Sequence, residues 1–392
     1  MKLGYNAMLL HGRYTGVHRA GWELLKALAE RSLDEIRVYA SRAFETPGWS
    51  PPPATVHVHR TWFSARRRAL RIIYENVFLA RRARREGCEL LHCPAYTLPV
   101  WNLLPTVVTV HDVIALTHPE FVSKASASHM KRALPRAAKL AHMIIVPSEA
   151  ARKALMKATE AKPARVRVVP FGVAEYFRPA RDESVTRAFR EQFGLPEHYV
   201  LFVGRMEPKK NLPNLVKAFF AAMMAKKLPH KLVLAGPDGA SSGALKKLIA
   251  ELDFAERVLR IERVPEETLP VLYSAADCLA MPSVVEGFGF PVLEAMACGT
   301  PVVTSKDAAL RELAPGRSPS AAHDDLKGMR AALERILTDE KLRARQVKAG
   351  LERAAGFTWK RTAERTREVY AETLESYEKL GGGGSVGAGG PA

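Results

Sequence analysis

Residues 286–303 read Glu286-Gly-Phe-Gly-Phe-Pro-Val-Leu-Glu294-Ala-Met-Ala-Cys-Gly299-Thr-Pro-Val-Val303. Pro291 stands where a helix would begin, Gly299 where it would stop, and an apolar run opens at 301, so the stretch is a turn, a helix and a strand in succession. Glycines 287 and 289 let the backbone approach a ligand closely. Helix-start amides are unpaired and sit at the positive end of the dipole, so a diphosphate above Phe290 and Pro291 would need few side-chain charges. Glu294 is expected in the first helical turn and Glu286 in the loop before it. Two carboxylates at different depths can accept from two sets of hydroxyls, such as those of a ribose and a hexose. That combination points to a phosphorylated sugar, specifically a nucleotide sugar. The competing reading is a dipole-favoured glutamate beside a loop glutamate with no role. It leaves the joint placement of glycines, proline and acids without a purpose.

Outward from this unit, short apolar runs alternate with amphipathic stretches, the pattern of α/β layers with parallel sheets. Strands are expected at 2–9, 36–39, 56–58, 90–92, 106–110, 143–146 and 166–169, then at 199–203, 231–235, 258–261, 278–281 and 301–304. Two doubly wound domains facing each other would place the strand C-terminal ends, and a ligand, in the cleft between them. The expected division is a first domain over 1–178, a charged and proline-rich linker over 179–196, and a second domain over 197–358. A helical segment over 359–380 follows, then a glycine-rich tail at 381–392 that has nothing to bury and is expected to be disordered.

The 392 residues suffice for two cores, and 47% hydrophobic with 26% charged is a soluble composition. No apolar run approaches the roughly 18 residues of a membrane span, and residues 1–10 are too short for a signal peptide. Cys88, Cys93, Cys278 and Cys298 follow no metal-binding spacing and are expected as reduced, buried thiols of a cytoplasmic protein. The net charge of +18 is uneven: residues 1–180 hold 28 Lys+Arg against 13 Asp+Glu, and the remainder 31 against 28. Arg66, Arg67, Arg68, Arg71, Arg81, Arg82, Arg84 and Arg85 flank the apolar runs 72–74 and 77–80. This is a basic amphipathic region suited to an anionic membrane or acceptor, or else a solvated helix face.

Three further stretches carry chemistry. Gly204-Arg-Met-Glu-Pro-Lys-Lys210-Asn211 follows a strand and opens a helix, with Asn211 as N-cap, so Arg205 and Lys210 can face a leaving diphosphate. His111-Asp112 ends the strand at 106–110 and can hold a sugar hydroxyl. Gly12-Arg-Tyr-Thr-Gly16-Val-His-Arg19 is a strand-to-helix turn fit for a phosphate, although its glycines are not spaced as a dinucleotide fingerprint.

These residues resemble family 4 of the retaining glycosyltransferases, whose two Rossmann-like domains form the GT-B fold. The likeness covers most of residues 1–375, and Glu286 with Glu294 is similar to that family's E-x7-E motif. It implies that Glu294 holds the ribose and Glu286 the transferred sugar, with Arg205 and Lys210 on the diphosphate. His111 would lie at the donor sugar. Backbone amides of Phe288, Gly289 and Phe290 would touch sugar and phosphate, and Gly16 would approach from the first domain. Arg263 and Val264 stand beside the expected base pocket, where the family tends to have a glycine. Val17-His18-Arg19 is bulkier than the family's turn, and 317–323 is more polar than its strand there.

The expected activity is transfer of a hexosyl unit from a nucleotide diphosphate sugar to a hydroxyl of a glycan or lipid-linked acceptor, with retention. GDP-mannose is preferred and a UDP-hexose is open. No Asp-x-Asp motif is present, so neither metal nor another cofactor is expected. The expected partners are the donor, the acceptor and peripherally an anionic membrane at the inner face, without nucleic acid. Two other readings are a nucleotide-sugar epimerase on the same fold and an anionic-lipid or nucleic-acid binding module.

Overall fold

The computed structural model describes residues 1–10, 15–31, 34–45, 49, 53–101, 103–180, 182–316 and 318–379. The strands are β1 (Lys2–Ala7), β2 (Glu35–Ala40), β3 (Val56–Arg60), β4 (Leu90–Cys93), β5 (Thr106–Thr109), β6 (Met143–Val146) and β7 (Val166–Val168) in the first half. The second half holds β8 (Tyr199–Val203), β9 (Lys231–Ala235), β10 (Val258–Ile261), β11 (Cys278–Met281), β12 (Val302–Ser305) and β13 (Ser320–Ala321). They form two sheets of parallel strands, ordered β3-β2-β1-β4-β5-β6-β7 and β10-β9-β8-β11-β12-β13. The strand order reverses between β1 and β4 and between β8 and β11, so each sheet opens a crevice beyond its strand C-termini. The two doubly wound domains expected from the sequence are thus present.

Helices cover both faces of each sheet, which is why β4, β5, β6, β11 and β12 are buried along their whole length and are largely apolar, with only His92 and a few hydroxyl residues among them. Strand limits fall within a residue or two of those expected. The polar stretch near 320 contributes a two-residue strand beside β12. Residues 179–196 are more than a connector: Glu183–Phe193 is a helix, capped by Asp182 and ended by Gly194, that packs on the second domain. All four cysteines are free and buried.

The terminal helix Trp359–Lys379 leaves the second domain and lies on the first, against the helix Gly16–Arg31, β5 and β6. At the crossing, Thr358 forms a parallel bridge with Val173, so the outgoing and returning chains run side by side. Its anchor is Tyr370, which shares a 2.6 Å hydrogen bond with His92 Nδ1, while His92 Nε2 meets Thr109 Oγ1 at 2.9 Å. Arg167 and Arg367 pair with Glu372 and Asp34 around it. Burial, with a smaller push from His111, lowers His92 to about 3, so the imidazole is neutral and uses one nitrogen as donor and the other as acceptor. Tyr370→Phe keeps the packing but leaves His92 Nδ1 without a partner inside the core. We expect it to lower unfolding free energy by about 1–3 kcal/mol in urea titrations, with an unchanged m-value.

Candidate active site

Gly289 takes φ +108° and caps the helix Phe290–Ala297, which begins one residue earlier than Pro291 implies. Pro291 is therefore its second residue, where a missing N–H still costs no hydrogen bond. Glu294 is the fifth, one turn in rather than in the first turn, so side chains and not the dipole hold it. The loop before the helix passes directly against the first domain. A side chain on residue 287 would meet the His111 carbonyl oxygen at 2.1 Å, and Ser148 Oγ donates to the Gly287 carbonyl at 2.9 Å. From the first domain Gly16 faces the Phe290 ring, 3.5 Å from where its own Cβ would lie. Two helix starts, at Gly16 and Phe290, confront each other across the cleft.

Glu286 lies in the loop with 8% of its side chain exposed, 2.5 Å from Lys210 Nζ and 3.6 Å from Lys209 Nζ. Burial alone would raise its carboxyl, but the two ammonium groups pull it down to about 2. Lys209 was missed in the sequence, which does not show that both lysines of an adjacent pair turn inward. Arg205 is not part of this cluster: it is exposed and donates to the Asp238 carbonyl at 2.9 Å. Asn211 also departs from expectation. It adopts φ +54° and caps nothing, its amide instead donating to the carbonyls of His323 (2.6 Å) and Pro282 (3.3 Å). That ties the lysine turn to the end of β11.

Glu294, 3% exposed, accepts from Tyr273 Oη at 2.7 Å and from Arg19 Nη1. The other Arg19 nitrogen donates to Glu266 at 2.9 Å, and Glu266 also accepts from Tyr176 at 2.6 Å. Burial works against the Arg19 charge, but Glu294 and Glu266 outweigh it and raise its pKa above the usual arginine range. Burial and Glu294 raise the Tyr273 phenol, which stays a donor. Arg19 had been noted in the sequence for its bulk alone, and Tyr273, Tyr176 and Glu266 carried no signal there.

His111 is half-buried, and its Nε2–H donates to the Pro94 carbonyl at 2.7 Å, which leaves Nδ1 as the acceptor. Burial lowers its pKa and keeps it neutral. Its ring tilts on Phe171, which stacks on Phe290 and meets Phe288 edge-on, an aromatic wall behind the loop. Arg263 is exposed and Val264 packs partly against the second core. Gly12, Arg13 and Tyr14 of the first turn lie outside the described residues, as do Arg317 and the tail 381–392.

Cavities of about 370 and 430 Å³ flank the motif, one lined by Phe288, Glu312, Arg353 and Arg365, the other by Glu23, Tyr176, Phe177 and Trp359. Neither is lined by Glu286, Lys210 or Glu294; the space beside Glu294 is filled by Arg19. His198, His230 and Asp277 bring possible metal-ligand atoms within 4.8 Å of one another. They precede the interior strands β8, β9 and β11, at the strand N-termini away from the cleft, and do not bear on this site.

Two family models match, one described as Glycosyltransferase Family 4 over residues 14–175 and one as Glycosyl transferases group 1 over residues 185–353. Together they take in both domains. The O-antigen chain mannosyltransferase B of Escherichia coli is 27% identical over 365 residues, covering 91% of this chain and 96% of that one. A D-inositol 3-phosphate glycosyltransferase of Thermobispora bispora is 37% identical over 235 residues, 56% of this chain and 54% of its own length. The chain thus spans about half of that relative. In structure it is similar to a sucrose-phosphate synthase of Thermosynechococcus elongatus, with a TM-score of 0.76 at 22% identity over 96% of this chain and 99% of that one. It is also similar to the Anabaena protein HepE in complex with UDP-glucose, at 0.74 and 19% over 95% and 100%.

The acid range tests the Glu286 cluster. Its carboxyl sits below the ordinary 4.5, so the stability it contributes is complete above pH 4.5 and is lost as pH falls toward about 2. Glu286→Gln removes that contribution. The melting-point gap between wild type and variant should be widest near neutrality and narrow between pH 4.5 and 2.5, read by circular dichroism melts. A gap independent of pH would refute the pairing.

Proposed function

The chain is a glycosyltransferase of GT-B architecture and family 4 type, and from that premise we propose that it moves a hexosyl unit from a nucleotide diphosphate sugar to a hydroxyl acceptor with retention of configuration. One observation carries the reading. The start of the Phe290 helix lies at the strand C-termini of both sheets, between the Lys209–Lys210–Glu286 cluster and the buried Glu294. Free amides and two ammonium groups can hold a diphosphate there, Glu294 the ribose, and Glu286 a hydroxyl of the sugar. The family models and relatives are all glycosyltransferases, which sets the epimerase reading aside.

The donor we favour is GDP-mannose, because the relative aligned over nearly its full length is named a mannosyltransferase; the UDP-glucose bound by HepE keeps a UDP-hexose as second choice. In the proposed step the anomeric C–O bond to the diphosphate breaks, and the acceptor oxygen bonds the anomeric carbon on the same face. The acceptor proton passes to the leaving phosphate oxygen. Lys210, Lys209 and the helix start stabilise the charge that grows on the diphosphate, so no metal is required. Neutral His111 can accept a sugar hydroxyl at Nδ1, which orients the ring. Contact of the loop with His111 and Ser148 keeps water from the anomeric carbon.

For the acceptor, the first domain presents Trp62, Ile73, Phe78 and Trp101 at 75, 50, 52 and 47% exposure among the arginines of residues 60–85, with Arg81 over the Trp101 ring. Exposed aromatic and aliphatic groups ringed by guanidinium suit an anionic membrane surface bearing a lipid-linked acceptor. Among the described residues no helix is long and apolar enough to cross a membrane.

A thermal-shift panel of nucleoside diphosphates and their sugars should raise the melting point of wild type and not of Glu294→Ala. Lys210→Ala should lower kcat on the order of 10²-fold with the donor that gives the largest shift. If no nucleoside diphosphate moves the wild-type melting point, the assignment fails. Flotation with liposomes rich in anionic lipid should retain wild type and lose a Trp62→Ala/Phe78→Ala variant.

A further inference from the structure

Arg19 makes more polar contacts across the cleft than the chemistry above uses. Its guanidinium joins the first domain to Glu294 and Glu266 of the second, with its Cζ 5.7 Å from the Phe177 ring centre and its side chain 16% exposed. Glu294 cannot give its oxygens to ribose hydroxyls while it stays enclosed by Arg19 and Tyr273. Of these two, Tyr273 is fixed, fully buried with Tyr199 and Phe177 around the same core, whereas Arg19 ends a flexible stem at the domain boundary.

The stem has somewhere to go. Arg19 is three residues beyond Gly16, which faces Phe290, and Glu294 is one turn beyond Phe290, so both groups lie about one helical turn, roughly 5.4 Å, from the facing helix starts. An arginine side chain spans that distance. A guanidinium that leaves one buried and one half-buried carboxylate needs an anion of equal strength and matching fork geometry, which a diphosphate supplies. We propose that Arg19 exchanges partners when the donor binds, yielding Glu294 to the ribose and taking the diphosphate between the two helix starts. This rests on the reading of the cleft as a nucleotide-sugar site. It couples recognition of the hydroxyls to recognition of the phosphates, because a ligand lacking phosphate must break the Arg19 pairs without replacing them.

Calorimetric titration of wild type, Arg19→Gln and Glu266→Gln with UDP, GDP, uridine and guanosine tests the exchange. In Arg19→Gln the nucleoside should bind more tightly and the diphosphate more weakly, so that their affinity ratio falls by about tenfold or more. In Glu266→Gln the guanidinium is held less firmly yet retained, and diphosphate affinity should rise a few-fold. A ratio unchanged in Arg19→Gln, or both ligands strengthened equally, overturns the exchange while leaving the site reading intact. Should Arg19→Gln not fold, diphosphate affinity that stays level or drops in Glu266→Gln overturns it as well. Wild type that binds neither UDP nor GDP defeats the site reading and the exchange together.

Discussion

The backbone contact between Gly287 and His111 is the constraint on which the cleft depends. With no Cβ at 287, the loop before the Phe290 helix can lie on the carbonyl of His111, and this brings an amide-rich helix start up to the first domain. What spans the cleft follows from that approach: the Phe290 ring reaches Phe171, and Glu294 comes within range of Arg19. The same physics recurs nearby with the domains' roles reversed. Glu312 of the second domain accepts from the Glu149 and Ala150 amides at 3.0 and 3.1 Å, capping a helix of the first domain with a carboxylate.

Charge is arranged to match. The first domain carries most of the basic excess, and the carboxylates of the cleft, Glu266, Glu286 and Glu294, all belong to the second. Each is neutralised by cations that are themselves natural phosphate ligands: two lysines from the turn after β8 and an arginine from across the boundary. A buried carboxylate paired in this way keeps its charge despite burial, as the depressed value for Glu286 shows. The cations and acids are thus held ready in a region where an unpaired charge of either sign would be costly.

The parallel strands were legible because burial on both faces makes most of them predominantly apolar between turns, and β6, β8, β9, β10 and β11 match the expected limits to the residue. The helix after Glu286 was legible in kind, and its start was misplaced because proline is tolerated at the second position as well as the first. Partners distant in the chain were not legible. Arg19 and Glu294 are 275 residues apart, and no local pattern connects them. Asn211 had the composition of a cap but not its backbone angle, and Arg205 had the charge for the cluster but found the Asp238 carbonyl. Side-chain direction at the end of a strand is decided by what packs next to it, which in these cases is another loop.

The crossing of the terminal helix has a consequence for biosynthesis. His92, wholly enclosed in the first domain, finds its Tyr370 partner 278 residues later, and Val173 waits across the second domain for Thr358. As the polypeptide emerges from the ribosome, the first domain must therefore persist through translation of the second with β5 and β6 lacking the terminal helix and with His92 paired at Nε2 alone. Completion of the amino-terminal half thus waits for the carboxy-terminal helix, and until then that half exposes apolar surface of the kind that holding chaperones recognise.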